Sequence, residues 1–202
     1  RGDDDNGYGT GSAYVFDYDG MNWTQSAKLR ASDGTMEDQF GWSVSLSGDR
    51  ALVGSYRDSD NGSSSGSAYV FDYDGMSWSQ SAKLVAIDGA TGDQFGYSVS
   101  LSGDRALVGA RLDDDSGESS GSAYVFDYNG LNWAQSVKLI ASDSTSYDSF
   151  GFSVSISGDR ALVGATGSGN SSGSAYMFDL VGGLWSQTVK LMASDGAASD
   201  HF

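Results

Sequence analysis

The chain alternates polar and apolar residues in short stretches. Ser43-Val44-Ser45-Leu46 switches at every position, and the run returns as Ser98-Val99-Ser100-Leu101 and Ser153-Val154-Ser155-Ile156. A period of two is that of a strand with one face buried. Each run is followed, across a Ser-Gly-Asp turn, by Arg-Ala-Leu-Val at Arg50–Val53, Arg105–Val108 and Arg160–Val163. A bulkier pair, Ala13-Tyr14-Val15-Phe16 and Trp23–Leu29, also recurs. No stretch of useful length carries the 3.6-residue period of a helix. The pattern predicts an all-β chain.

The recurrence is regular. Gly-Ser-Ala-Tyr begins at Gly11, Gly66, Gly121 and Gly173, at spacings of 55, 55 and 52, and residues 11–55 match 66–110 at 36 of 45 positions. A period in the fifties suits a four-stranded propeller blade. We read residues 1–202 as one repeat region with phases near 1–40, 41–95, 96–150 and 151–202. About four blades, each a four-stranded antiparallel sheet, then belong to a larger propeller or array. Blades are wedges, so the strands with small side chains suit the narrow inner side and those with Tyr14, Phe16 and Trp23 the outer. Asp19-Gly20, Asp74-Gly75, Asn129-Gly130 and Gly182-Gly183 predict type I′ hairpins between the outer strands. Phe40, Phe95 and Phe150 are expected to be buried. The glycines after them should sit at positive φ or where a side chain would clash.

These motifs carry a resemblance. Phe40-Gly41-Trp42-Ser43-Val44, Ser47-Gly48-Asp49, Ala51-Leu52-Val53-Gly54-Ser55 and Gly66-Ser67-Ala68-Tyr69-Val70-Phe71 resemble the FG-GAP repeat. That repeat builds the propeller of integrin α subunits and of many secreted bacterial and algal proteins. The resemblance covers all four periods. It implies a secreted or cell-surface location, a part in adhesion or matrix, and protein or glycan partners. Two departures stand out. The integrin-type calcium loop Asp-x-Asp-x-Asp-Gly between a blade's first two strands is replaced by Ser47–Arg50, too short to wrap a cation. Such propellers usually close with seven blades, and this chain carries fewer than four, so linked arrays or filaments are a further expectation.

Charge narrows the partners. With 27 acidic against 11 basic residues and a net charge of −16, the chain repels nucleic acid and anionic membrane surfaces and attracts cations. No run is long and apolar enough for membrane insertion. There is no cysteine, and the one histidine is His201. Every aspartate loop has copies at repeat spacing, with Glu37 and Glu118 the only acidic residues that stand alone, which gives no singular pair for carboxylate catalysis. We therefore expect no enzyme. The expected function is a non-catalytic extracellular structural or adhesion module, with a lectin-like propeller or the non-catalytic part of a polysaccharide-active protein as alternatives.

Candidate sites follow the loops. Asp3 and Asp5, Asp58 and Asp60, and Asp113 and Asp115 stand at alternate positions ahead of a glycine. Such carboxylates can converge on calcium, and they are equally ordinary turn residues. The copy at Thr166–Asn170 has no carboxylate. Pairs at Asp33 and Asp38, Asp88 and Asp93, Asp143 and Asp148, and Asp195 and Asp200 bracket the loops between blades, where capping of backbone N–H groups is expected. Trp23, Trp78, Trp133 and Trp185 are read as packing between blades, with sugar stacking as the alternative, and Trp42, Tyr97 and Phe152 as core. Asn22, Asn61 and Asn170 head N-glycosylation sequons. Arg1-Gly2-Asp3 occurs once and is treated as accidental.

Overall fold

The computed structural model describes residues 7–167 and 172–197. Strands and no helix appear among them. β1 (Ala13–Tyr18) and β2 (Trp23–Leu29) form a two-stranded sheet. Three four-stranded sheets follow. The first holds β3 (Ser43–Ser47), β4 (Arg50–Ser55), β5 (Ser67–Tyr73) and β6 (Trp78–Leu84). The second holds β7 (Phe95–Ser102), β8 (Arg105–Ala110), β9 (Ser122–Tyr128) and β10 (Trp133–Leu139). The third holds β11 (Ser153–Ser157), β12 (Arg160–Ala165), β13 (Ser174–Val181) and β14 (Leu184–Leu191). Strand order in each sheet is sequence order and every pairing is antiparallel. These are propeller blades, and β7 packs between β3 and β11, so the small-residue strands lie side by side as their size predicted.

The core lies between sheets. Alternation along β4 and β5 sends Ala51, Val53, Tyr69 and Phe71 toward the β1–β2 sheet, and Leu52 and Val70 toward the second blade. Phe40, Phe95 and Phe150 stand just before or at the start of the first strand of a blade; all three are fully buried, each packed edge-on against a tyrosine and a phenylalanine of the third strand of that blade. Gly41 sits at φ 87°, and an added Cβ would collide with the carbonyl oxygen of Ser12. Gly96 and Gly151 repeat both features. A Phe-Gly pair therefore plugs the core and lets two backbones touch.

The serines of the inner strands bond across the joint between blades. Ser43 Oγ donates to Gly96 O at 2.9 Å, while Ser45 Oγ and Ser47 Oγ accept from Leu101 N and Gly103 N at 3.0 Å each. Ser98, Ser100 and Ser102 repeat the set on the third blade. On β7 both faces are thus in use. Val99 and Leu101 are buried against the first blade, whereas Val44 and Leu46 are each 62% exposed beside the shorter β1–β2 sheet.

Two expectations are corrected. Only Gly182-Gly183 is a two-residue turn with both φ positive, the type I′ signature. At the other three hairpins the strands stop earlier, and only the glycine of each dipeptide has positive φ. Asp19 Oδ1 accepts from Met21 N and Asn22 N, a side-chain brace that Asp74 and Asn129 repeat. Aspartate there closes the loop through its carboxylate and not through a left-handed backbone. The tryptophans also divide. Trp78, Trp133 and Trp185 pack on the three inter-sheet cores, but Trp23 is 70% exposed because no described sheet precedes β2.

Candidate functional site

The two ends of the blades carry different chemistry. At one end lie the β3–β4 and β5–β6 turns and their copies. Arg50 Nε donates to Asp72 of its own blade at 2.7 Å, and Nη1 reaches Asp104 at 2.7 Å and Gly103 O at 3.3 Å in the next blade's Ser-Gly-Asp turn. Its guanidinium also lies over the rings of Tyr128 and Trp133. Arg105 repeats this with Asp127, Asp159, Gly158 O and Trp185. The turn that seemed too short to wrap a cation accepts one from the preceding blade.

At the other end lie the β4–β5 loops and the connections between blades. Asp58, at 2% exposure, is fixed by three donors: Tyr69 Oη at 2.8 Å, Ser67 Oγ at 3.0 Å and Asp60 N at 3.2 Å. Lys83 Nζ meets Asp33 at 2.7 Å and Asp58 at 3.0 Å, and also bonds Asp60. The second joint repeats the arrangement. Lys138 Nζ meets Asp88 at 2.8 Å, Asp113 at 2.9 Å and Asp115, with Tyr124 Oη on Asp113 at 2.7 Å. In the third, Lys190 meets Asp143 at 2.6 Å.

The electrostatics follow from this geometry. Burial alone would lower the Lys83 and Lys138 ammonium groups, but hydrogen bonds to three carboxylates each hold them well above the usual lysine range. Burial, then the neighbouring carboxylates, push the Tyr69 and Tyr124 phenols up, so both stay protonated donors. Burial pushes Asp33 and Asp88 up, but the lysine hydrogen bond and charge, with help from the neighbouring tyrosine and the backbone, together hold both below the usual carboxylate range. Asp93 moves the other way. Burial, opposed by the Ala90 N–H and aided by the charge of Asp113, raises it to about 6.

The structure sorts the candidate residues accordingly. Asp58 with Asp60, and Asp113 with Asp115, come together as their spacing suggested, and each pair gains a third carboxylate, Asp33 or Asp88, from the preceding connection. Asp38, Asp93 and Asp148 cap as expected, accepting from Thr35 N, Ala90 N and Thr145 N at 2.6–2.7 Å. Asp33, Asp88 and Asp143 serve the lysines instead. Asp3, Asp5, Asn170, Arg1-Gly2-Asp3, Asp200 and His201 lie outside the described residues. Asn22 and Asn61 are exposed. The residues missed in the sequence are Lys83, Lys138 and Lys190, although their recurrence in phase with Gly-Ser-Ala-Tyr was visible there.

A calcium site at the two triads has suitable chemistry, since their oxygens lie within 4.8 Å of one another and hard cations prefer carboxylates. The lysine ammonium, however, stands at the point where the three oxygens converge. An ion there would have to displace it.

Near the same end, an aromatic row crosses three blades. Trp42 and Tyr97 have ring centroids 5.5 Å apart, Tyr97 and Phe152 5.3 Å, and Tyr56 lies 4.7 Å from Trp42. The row is less buried than the sequence suggested: Trp42 and Tyr97 are half-buried and Phe152 is 38% exposed, because these side chains flank the core phenylalanines at the blade ends.

Stacked four-stranded antiparallel sheets, with a lysine in the same place at each joint, define a β-propeller type of repeat protein. A family model described as the FG-GAP repeat matches residues 23–71, 78–126 and 133–178. The chain belongs to the FG-GAP repeat family. Its repeats are structural and binding units typical of extracellular, integrin-like modules, and no described helix is long and apolar enough to cross a membrane. No curated protein matches the chain.

Proposed function

We propose that the chain is a non-catalytic, secreted or cell-surface module whose blades form a rigid surface for adhesion or matrix binding. One observation carries the reading: the lysines and arginines at the joints are paired with carboxylates in repeated sets. The Lys83 and Lys138 nodes are near copies, as are the Arg50 and Arg105 contacts. Catalysis would call for a nucleophile or acid held apart from such pairing. The exposed sequons at Asn22 and Asn61 suit a secreted glycoprotein. Expression of the full-length gene product in its native form, followed by fractionation, tests location, and recovery in the cytosol overturns the reading. Adhesion is tested by retention of the purified chain on immobilised matrix proteins and polysaccharides, with hydrolysis of the coat as the result against it.

Calcium belongs to this proposal as a competitor of lysine at the Asp33–Asp58–Asp60 and Asp88–Asp113–Asp115 triads. Lys83→Met and Lys138→Met should each tighten calcium binding in calorimetric titration, because each leaves three carboxylates to repel one another. Unchanged heats in both variants would remove calcium from the account. A lectin-like function is the second reading, favoured by the half-exposed aromatic row.

A further inference from the structure

Two arginines stand apart in this acidic protein. Arg50, Arg105 and Arg160 each pair with aspartate, as do Lys83, Lys138 and Lys190. Arg57 and Arg111 contact no carboxylate among the described residues. Both lie on the aromatic row. The Arg111 guanidinium lies 4.2 Å from the Tyr97 ring centroid and 5.9 Å from that of Phe152, with Nε donating to Gln94 Oε1 at 2.9 Å. Arg57 is exposed and stands 5.7 Å from the ring of Tyr56.

The repeats themselves point to the same place. Residues 12–66 and 67–121 are nearly identical, and their differences fall at Asn22 and Thr24, in 30–37, at Trp42 and in 55–63. All but the first two positions lie at the end of the blades that carries the row. At that row the ring changes from Trp42 to Tyr97 to Phe152, and Tyr56 gives way to Arg111. The strands beneath keep their sequence. Variation on a constant scaffold is how loops acquire specificity.

We propose that the row Trp42–Tyr97–Phe152, with Arg57 and Arg111, is a binding platform for a glycan bearing a single carboxylate, of the uronic or sialic acid kind. Ring faces stack on the C–H face of a sugar. A guanidinium without an acidic partner is suited to fork a carboxylate. The net charge of −16 disfavours a polyanion and leaves an isolated acid on an otherwise neutral chain as the better fit. The inference rests on the reading of the module as an extracellular binding surface and names what that surface takes.

Calorimetric titration of the whole chain tests it with two acidic probes, 3′-sialyllactose and xylotriose carrying one glucuronic acid, each beside its neutral counterpart, lactose or xylotetraose. Saturable binding of an acidic probe is expected, with its neutral counterpart at least about tenfold weaker, since the bidentate ion pair is then missing. Arg57→Gln/Arg111→Gln should weaken the acidic probe by about tenfold while leaving the melting temperature close to the parent's, because neither arginine holds an ion pair among the described residues. Phe152→Ala should weaken acidic and neutral sugars alike. Binding of neither acidic probe overturns the platform, as does equal affinity for the neutral sugars or an unaffected double variant. Equal binding of a tetraglutamate peptide would show a carboxylate site without sugar recognition and overturn the glycan. Sugar binding that fails while matrix retention persists sinks this inference alone.

Discussion

Lys138 and Lys190 occupy the same position in consecutive repeats and meet different surroundings. Lys138 is bonded to three aspartates and is 18% exposed; Lys190 is bonded to Asp143 and is 33% exposed. The cause is in the loop ahead of each tyrosine. Asp113-Asp114-Asp115 precedes Tyr124, whereas Thr166–Asn170, ahead of Tyr176, has no acidic residue. The same lysine is therefore the hub of a network in one joint and half of a surface ion pair in the next. Two loops from neighbouring blades decide which, by the carboxylates they bring.

Substituting the lysines should separate the two cases most. Lys138→Met leaves Asp113 buried without its cation and should cost about 2–4 kcal/mol, below the full range for a broken buried pair because Asp88 and Asp115 reach solvent. Lys190→Met should cost under about 1 kcal/mol, as exposed pairs do. Urea unfolding of the two variants measures both. Equal losses would mean that the extra carboxylates add nothing.

Blade architecture was readable because its causes are local. The alternation at Ser43–Leu46 predicts a strand, and Phe40-Gly41 predicts a buried ring beside a backbone contact. The nodes were not readable, because they join residues far apart in sequence. Lys83 meets Asp33 across 50 positions, and Arg50 meets Asp104 across 54. Those separations approximate one repeat, so the pairing was latent in the period, but only the stacking of sheets turns one copy's charge toward the next. The serines carry the same lesson. The alternation marks Ser43 and Ser45 only as the polar positions of a strand, and only the neighbouring strand shows them, with Ser47, bonded to backbone.

Asp93 sharpens the comparison from the acidic side. Its folded pKa of about 6 lies above the ordinary carboxylate value of 3.8. The favourable contribution of its protonated form is thus present below about pH 3.8 and lost as pH rises through 6. At pH 7 the charged group is a burden, since burial and Asp113 oppose it. Asp93→Asn keeps an acceptor for the Ala90 N–H and should stabilise by about 2 kcal/mol at pH 7. The gain should vanish near pH 4. No gain in melts run at both pH values would show that Asp113, fully absorbed by Lys138 and Tyr124, does not repel Asp93.

The arginines offer the same contrast at the opposite end of the blades. Arg50 is 17% exposed and bonds into the next turn; Arg160, 64% exposed, pairs only with Asp179 among the described residues. Arg50→Ala should cost about 1–2 kcal/mol through lost charge-assisted bonds and ring contact, and Arg160→Ala under about 0.5. Similar melting temperatures for the two variants would make the link between blades dispensable.

The smallest effect belongs to the pair at Lys190. The Lys190 ammonium holds the Asp143 carboxyl below its usual range, with partial burial opposing. A carboxylate depressed in the folded state stabilises above the unfolded pKa of 3.8, and that share is lost as pH falls through the folded value. Asp143 is 49% exposed, so water and salt screen most of the interaction. Asp143→Asn should therefore cost a few tenths of a kcal/mol at pH 7, less still in 1 M salt, and nothing near pH 2. Asp88→Asn, in the fuller node, should cost more at pH 7 and keep more of that cost in salt, because Asp113 beside it is buried. Paired denaturant titrations at low and high salt compare the two. If both variants lose the same stability with the same salt dependence, the three-carboxylate node is no more than a surface pair repeated.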